Sequence, residues 1–286
     1  MLPRYQDLCV FHGCFTQGKI FQEMIDFMYI VHETLIFNVS HKGVTMKADD
    51  RPSGNRNTGQ KETIFTDLFI PTTGFSNWFY SAEDPDSMTP VPVEAGVLRD
   101  SLKGSILAKD SLVFYILKSD TGSLHTRVVG LDLSSYKVDS STKLLDIETI
   151  PEDLLVPINT PFYDLSKPVA SFLTSGLASA CKDAKAAKIS ELTICFQQAG
   201  LIISFGKASG NKTYPLGLVD HDAEPLFSCT FKVKKKFESL LKLTKLSKSV
   251  SVYASAEKPV LFSFNISTTG GKFNVYCVPV QTTKSQ

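Results

Sequence analysis

The sequence predicts an internally duplicated α+β fold, on three observations. A unit of helix, strand, glycine turn and strand recurs along the chain, its strands largely alternate apolar with polar residues, and its last copy carries a lysine-crowded helix. In that copy, Val233, Phe237, Leu240 and Leu241 recur at helical spacing while Lys234, Lys235, Lys236, Lys242 and Lys245 fill the remaining positions. The element is apolar on one side and cationic on the other. Ser249 to Ala256 and Pro259 to Ile266 follow as alternating runs about Glu257-Lys258, and Lys272 to Val280 follows the turn Thr269-Gly270-Gly271.

The first copy opens with a strand over Leu8 to Phe15 and a helix stripe of Ile20, Phe21, Met24, Ile25, Phe27, Met28 and Val31. Thr34 to Val39 and Val44 to Ala48 then flank the turn His41-Lys42-Gly43. Asp49 to Gln60 is polar and reads as a loop, whereas Thr63 to Ile70 and Asn77 to Tyr80 read as strands. The second copy places a helix over Pro92 to Ile106, with Pro92 in its first turn, then strands over Ser111 to Lys118 and Ser123 to Leu133. From Ser134 to Pro157 acids surround short apolar groups, which fits a connector between domains better than a core element. The third copy opens a helix at Ser166 and Pro168 that continues through Val169, Phe172, Leu173, Leu177 and Ala180. Its strands run from Leu192 to Phe196 and from Leu201 to Phe205 about Gly200. TLIFNVSHKGVTMKA and ELTICFQQAGLIISF share this order of strand, glycine turn and strand. The chain thus reads as two domains of two units each, 1–136 and 157–286, joined by a connector over 137–156.

Length and composition fit that division. At 286 residues, with 43% hydrophobic and 21% charged residues, the chain can bury two cores. Thirty basic against 29 acidic residues leave a net charge of +1, so any electrostatic function rests on local clustering. The six cysteines form no CxxC pair and read as reduced core residues of an intracellular protein. No apolar run reaches the ~20 residues that span a bilayer, and MLPRYQDL lacks the apolar region of a secretory signal, so neither membrane nor secretion is expected. The sequons at Asn38, Asn211 and Asn265 then read as chance matches.

Five stretches, QGKIFQEMIDFM, SHKGVTMKADD, KLLDIETIP, TFKVKKKFESLLKL and SVSVYASAEKPVLFSFNISTTGGKFNVYCVPV, lie in one order over most of the chain. In that order the sequence resembles a DNA sliding clamp of the proliferating cell nuclear antigen (PCNA) family. The resemblance implies the DNA-clamp fold: two similar domains, each of two helix-plus-antiparallel-sheet units, with three subunits closing a homotrimeric ring. It implies a polymerase processivity factor that encircles duplex DNA without reading sequence and tethers a DNA polymerase and other proteins through clamp-binding peptides. No reaction is catalysed, and neither cofactor nor metal is implied. The setting would be the nucleus or a viral replication compartment, and the polar insertion from Asp49 to Gln60 together with the near-neutral net charge points to a divergent member, of viral or distant-lineage source.

Carried over by position, the resemblance places DNA contacts at Lys19, Arg99, Lys103, Lys182, Lys185, Lys188, Lys234, Lys235, Lys236, Lys242 and Lys245. It places partner contacts at Val44, Met46, Leu144, Leu145, Ile147, Pro259, Tyr276, Val278, Pro279 and Val280. Subunit contacts would bring Leu124 to Leu131 against Leu201 to Lys207 of a neighbour. The sequence departs from the pattern at Gln22, Glu23 and Asp26 on the first helix and at Ser171, Thr174 and Ser175 on the third, where relatives are often basic. Positive charge is skewed toward the last helix, and Lys207 and Lys212 read as loop residues outside the face.

Other classes find less support. The five histidines show no HExxH or paired metal spacing, and no GxGxxG, Walker or GxSxG pattern occurs. Phe262, Phe264, Phe273 and Tyr276 could stack bases, yet their alternating strand positions favour a core. The alternatives carried forward are a non-ring processivity factor, a subunit of a heteromeric checkpoint clamp, and a protein-interaction scaffold without DNA binding.

Overall fold

The computed structural model describes residues 5–49, 63–104, 106–130, 136–150, 163–207, 210–220, 224–232, 240–266 and 270–284. The chain divides into two compact units: Met1–Asp49 with Asp67–Pro157 and Ser267–Gly271, and Asp50–Thr66 with Ile158–Ile266 and Lys272–Gln286.

The first unit runs α1 (Tyr5–Leu8), β1 (Cys9–Phe15), α2 (Gly18–Val31), β2 (Thr34–Ser40), β3 (Gly43–Asp49) and β4 (Thr63–Pro71), whose Thr63–Thr66 stretch counts with the second unit. It continues through β5 (Asn77–Tyr80), β6 (Met88–Glu94), α3 (Ala95–Leu102), β7 (Ser111–Leu117), β8 (Asp120–Val129) and β9 (Tyr136–Lys143). Its strands follow the orders β5-β1-β7-β8-β9 and β4-β3-β2-β6. The apolar stripe of α2 explains the packing: Phe21, Met24, Ile25 and Met28 are buried, and Phe21 stacks on Phe114 of β7 at 5.3 Å and lies 5.6 Å from Phe15 of β1.

The second unit runs β10 (Ala170–Leu173), α4 (Thr174–Ala186), β11 (Glu191–Phe196), β12 (Ala199–Lys207), β13 (Gly210–Leu218) and β14 (Phe227–Lys232). It ends with α5 (Leu240–Leu243), β15 (Ser249–Ser255), β16 (Lys258–Ile266), β17 (Gly271–Val278) and β18 (Gln281–Lys284). Its strand orders, β10-β15-β16-β17 and β13-β12-β11-β14-β18, repeat those of the first unit, except that β5 has no counterpart in the second unit and β18 none in the first. Phe262, Phe264 and Phe273 are fully buried, so these aromatics build the core and cannot stack bases.

Several expectations are corrected. Pro92 lies in β6 opposite Ile36, and the helix begins at Ala95. Strand β6 is the last of its sheet, so Pro90 and Pro92, which lack N–H groups, leave no ladder donor missing, while Val91 and Val93 are buried. The helical spacing of Val93 and Val97 is coincidental. Likewise Ala170–Leu173 is a strand paired with β15, and α4 starts at Thr174, whose hydroxyl donates to the Ser247 carbonyl at 2.7 Å. Tyr136–Lys143, expected within the connector, is a strand paired with β8. Strands β13 and β14 were not expected; two glycines and Pro215 hide the first, which puts Lys212 on a strand, and Lys207 ends another. Both proposed subunit edges fail, because β8 lies between β7 and β9 and β12 lies between β11 and β13. The strands at those sheet ends are β9 and β13.

One buried carboxylate braces β9. Asp110 is 3% exposed, accepts from the Leu107 amide at 2.8 Å and takes the Lys137 ammonium of β9 at 2.7 Å. That charge-assisted bond, the largest cause, holds its carboxyl below the usual range. A carboxyl whose folded pKa is depressed contributes stability above its unfolded value, near pH 4, and loses it as pH falls through the folded value. Asp110→Asn is therefore expected to cost about 2 kcal/mol at pH 7 and to flatten the decline in stability below pH ~4, measured by urea unfolding across pH. An unchanged acid limb would remove Asp110 from that role.

Candidate nucleic-acid interface

In the second unit, α4 buries Leu177, Ala180, Cys181 and Ala184, which turns Lys182 and Lys185, three residues apart, outward. Lys188, in the left-handed region at φ 50°, follows where the helix ends and is exposed. The sole acid on α4, Asp183, is engaged from β13: Lys212 donates to it at 2.7 Å and Tyr214 donates through its hydroxyl. The Lys212 bond, then the Tyr214 bond, hold its carboxyl below the usual range, and Tyr214 is pushed up to about 12, by burial first and then by the bond to Asp183. Asp183 is thus satisfied by the sheet. The short helix α5 packs against α4, buries Leu240 and Leu243 and exposes Lys242, and the turn after it exposes Lys245. Lys234, Lys235 and Lys236 lie outside the described residues. Lys185, in the last turn of α4, also complements the helix dipole.

The first unit differs. Lys19 donates to Gln22 at 2.9 Å, and the Arg99 guanidinium lies 4.1 Å over the Tyr29 ring while pairing with Asp100 at 2.6 Å. Lys103 is exposed, and Glu23 and Asp26 on α2 are half-buried. Of these cations, Arg99 is matched by an acid and an aromatic face and Lys19 by the Gln22 amide oxygen. Two sequence expectations change: Gln22 is buried and is no surface departure, and Ser171 sits on β10 while Thr174, the first residue of α4, is buried.

The expected partner contacts separate by burial. Val44 and Met46 are 0% exposed and belong to the core of the first unit, while Tyr276 is buried and stacks on Phe65 at 4.6 Å in the second. Strand alternation sends Val44 and Met46 inward toward α2, whereas Tyr276 lies on the strand face it shares with exposed Val278, buried in a separate cluster with Phe65, Tyr253 and Leu261 against which half-buried Tyr163 and Leu165 pack. Leu144 bridges Val93, the Leu145 amide donates to the Pro92 carbonyl at 2.9 Å, and Ile147 is exposed. In the second unit the Pro259 carbonyl accepts from the Tyr163 hydroxyl at 2.7 Å, Val278 is exposed, and Pro279 and Val280 are half-buried. The Val280 amide donates to the Thr230 carbonyl at 2.8 Å, so the tail enters β18 along β14. Sequence reasoning missed the Asp183–Tyr214 link and the Arg99–Tyr29 stack, because neither pair is close in sequence.

Helix pairs backed by antiparallel sheets, repeated in two units with one strand order, define a sliding-clamp fold. The chain has the fold of PCNA. It is similar to PCNA from Entamoeba histolytica at a TM-score of 0.71 and 15% identity, over 96% of this chain and 100% of that one. It is also similar to the PCNA2–PCNA3 complex of Sulfolobus tokodaii at a TM-score of 0.67 and 16% identity, over 94% of this chain and 99% of that one. No protein-family model matches the chain, and comparison with curated protein sequences gives no match.

Proposed function

We propose that the protein is a DNA sliding clamp, a homotrimeric ring that encircles duplex DNA and serves as a non-enzymatic processivity factor. The observation that carries this reading is the placement of the repeated strands. Strands β9 and β17 hold equivalent positions in the two units, as do β4 and β13. Among the described residues, β9 and β13 each end a sheet. Each copy thus carries two strand ends open to main-chain pairing, and β9 of one copy set against β13 of the next would close a ring. Lysines on α4 and α5 would meet phosphates without reading bases.

Partner peptides would use the exposed and half-buried apolar residues Leu144, Leu145 and Ile147, with Pro259 and the tail Val278, Pro279 and Val280 as further contacts. Replacing Ile147 by Asp is expected to weaken binding of a polymerase-derived peptide about tenfold by calorimetry, with the thermal midpoint unchanged. Equal affinity would take Ile147 out of the contact.

The test of the reading combines mass and topology. Light scattering over a concentration series should reach three times the 31.5 kDa chain mass, and the loaded protein should stay on closed circular duplex and be lost when the circle is cut. Equal, salt-sensitive retention on cut and closed DNA would replace the ring by an electrostatically held factor. The Sulfolobus relative is a complex of two different clamp proteins, so a mass that rises only with a second protein would mark a heteromeric subunit.

A further inference from the structure

The strand that ends the second unit's sheet carries a proline in its middle. Pro215 of β13 lies opposite Ile202 of β12, and with no N–H it cannot donate across that pair, so its nitrogen faces away from β12 toward the open edge. In an antiparallel strand the outward positions alternate, which places Asn211, Thr213 and Gly217 on the same edge as Pro215. Three outward amides therefore stand where a full edge would present four. The strand is otherwise held along its length, apart from Gly217 at φ 83°: its inner ladder to β12 runs from Ala199↔Leu218 to Lys207↔Gly210, and Lys212 and Tyr214 anchor it to Asp183 of α4. The gap is confined to the side on which a second copy would add.

Apolar side chains flank that edge. Leu218 is 81% exposed and Leu173 is 67% exposed, and β10 and β13 lie side by side, with a Cβ at Gly217 only 3.7 Å from Ala170. At the other sheet end, Leu107 is 63% exposed and precedes Asp110, the residue that holds Lys137 of β9.

We infer that Pro215 makes ring closure reversible by removing one main-chain hydrogen bond from each contact between copies, leaving exposed leucines to supply much of the hold. The inference rests on the ring reading above and adds to it how firmly the ring is held. A proline on an open edge is a known way to limit strand addition, and here it tunes a pairing rather than abolishing it. The partner is a second copy of this chain, since β9, which also ends its sheet, offers a second open strand to pair with β13.

The test is sedimentation or light scattering of the full chain over a wide concentration range, for the wild type, Pro215→Thr and Pro215→Val. Both variants restore the N–H, and Val controls for the Thr hydroxyl. Each is expected to lower the midpoint concentration of assembly, by about fivefold for each contact that gains the bond. The midpoint of Leu218→Ser should rise. Thermal unfolding of the dilute chain checks that all variants fold. A wild type that assembles with the same midpoint as both proline variants overturns the inference and leaves the ring intact. A wild type and variants that stay monomeric at every concentration overturn both, whereas assembly only in the variants supports the inference directly.

Discussion

Reversing charge at Lys182, Lys185, Lys242 and Lys245 together is expected to abolish retention on circular duplex at physiological salt, while Lys19→Glu with Lys103→Glu costs far less. The asymmetry follows from what each lysine meets. On α4 the neighbouring acid, Asp183, is held by Lys212 and Tyr214, so it does not offset Lys182. On α2 and α3, Lys19 is tied to Gln22, Arg99 to Asp100 and Tyr29, and Glu23 and Asp26 add negative charge nearby. Each lysine that meets a phosphate contributes about one unit to the slope of log affinity against log salt. The reversal in the second unit should therefore flatten that slope, by up to about four per subunit, and the reversal in the first unit should hardly change it. Mass in solution should stay that of the wild type, because none of these residues lies on β9 or β13. Equal losses from the two sets would reject the asymmetry, and unchanged retention from both would remove the helices from the DNA surface.

What the sequence conveyed and what it hid divide along physical lines. Strands bounded by glycine turns, such as Thr34–Ser40 and Gly43–Asp49, were legible because alternation and turn chemistry agree locally. The boundary errors at Pro92 and Val169 share one cause: short apolar runs next to a helix satisfy both periods, and only pairing with β2 or β15 decides between them. Strand β13 was hidden because its residues answer to Asp183 and to an open edge instead of a buried face. The lysines of α4 and α5 were visible in sequence, whereas the exposure that separates Ile147 from buried Val44, Met46 and Tyr276 was not. Burial depends on which side of a strand faces a helix, and that is fixed by tertiary packing.

Replacing Gly43 by Ala is expected to destabilise the protein by about 4 kcal/mol, the largest effect of any single methyl group considered. Two independent causes act at this position. Gly43 opens β3 at φ 132°, a left-handed conformation that a Cβ makes costly. A Cβ there would also lie 2.1 Å from the Ile70 carbonyl oxygen, with the backbone of Pro71 next at 2.9 Å. Neither neighbour is the end of a flexible side chain, so relief requires moving β4 away from the turn that the Thr72 amide closes onto the Lys42 carbonyl at 3.1 Å. Gly104 gives the control: its φ of 76° is also positive, but a Cβ there meets nothing within 4 Å, so Gly104→Ala should cost only about 1 kcal/mol. Urea unfolding of the two variants separates strain from collision. Near-equal losses would show that β4 yields readily and that the turn is not the fixed point from which the first unit's β2, β3 and β4 are set.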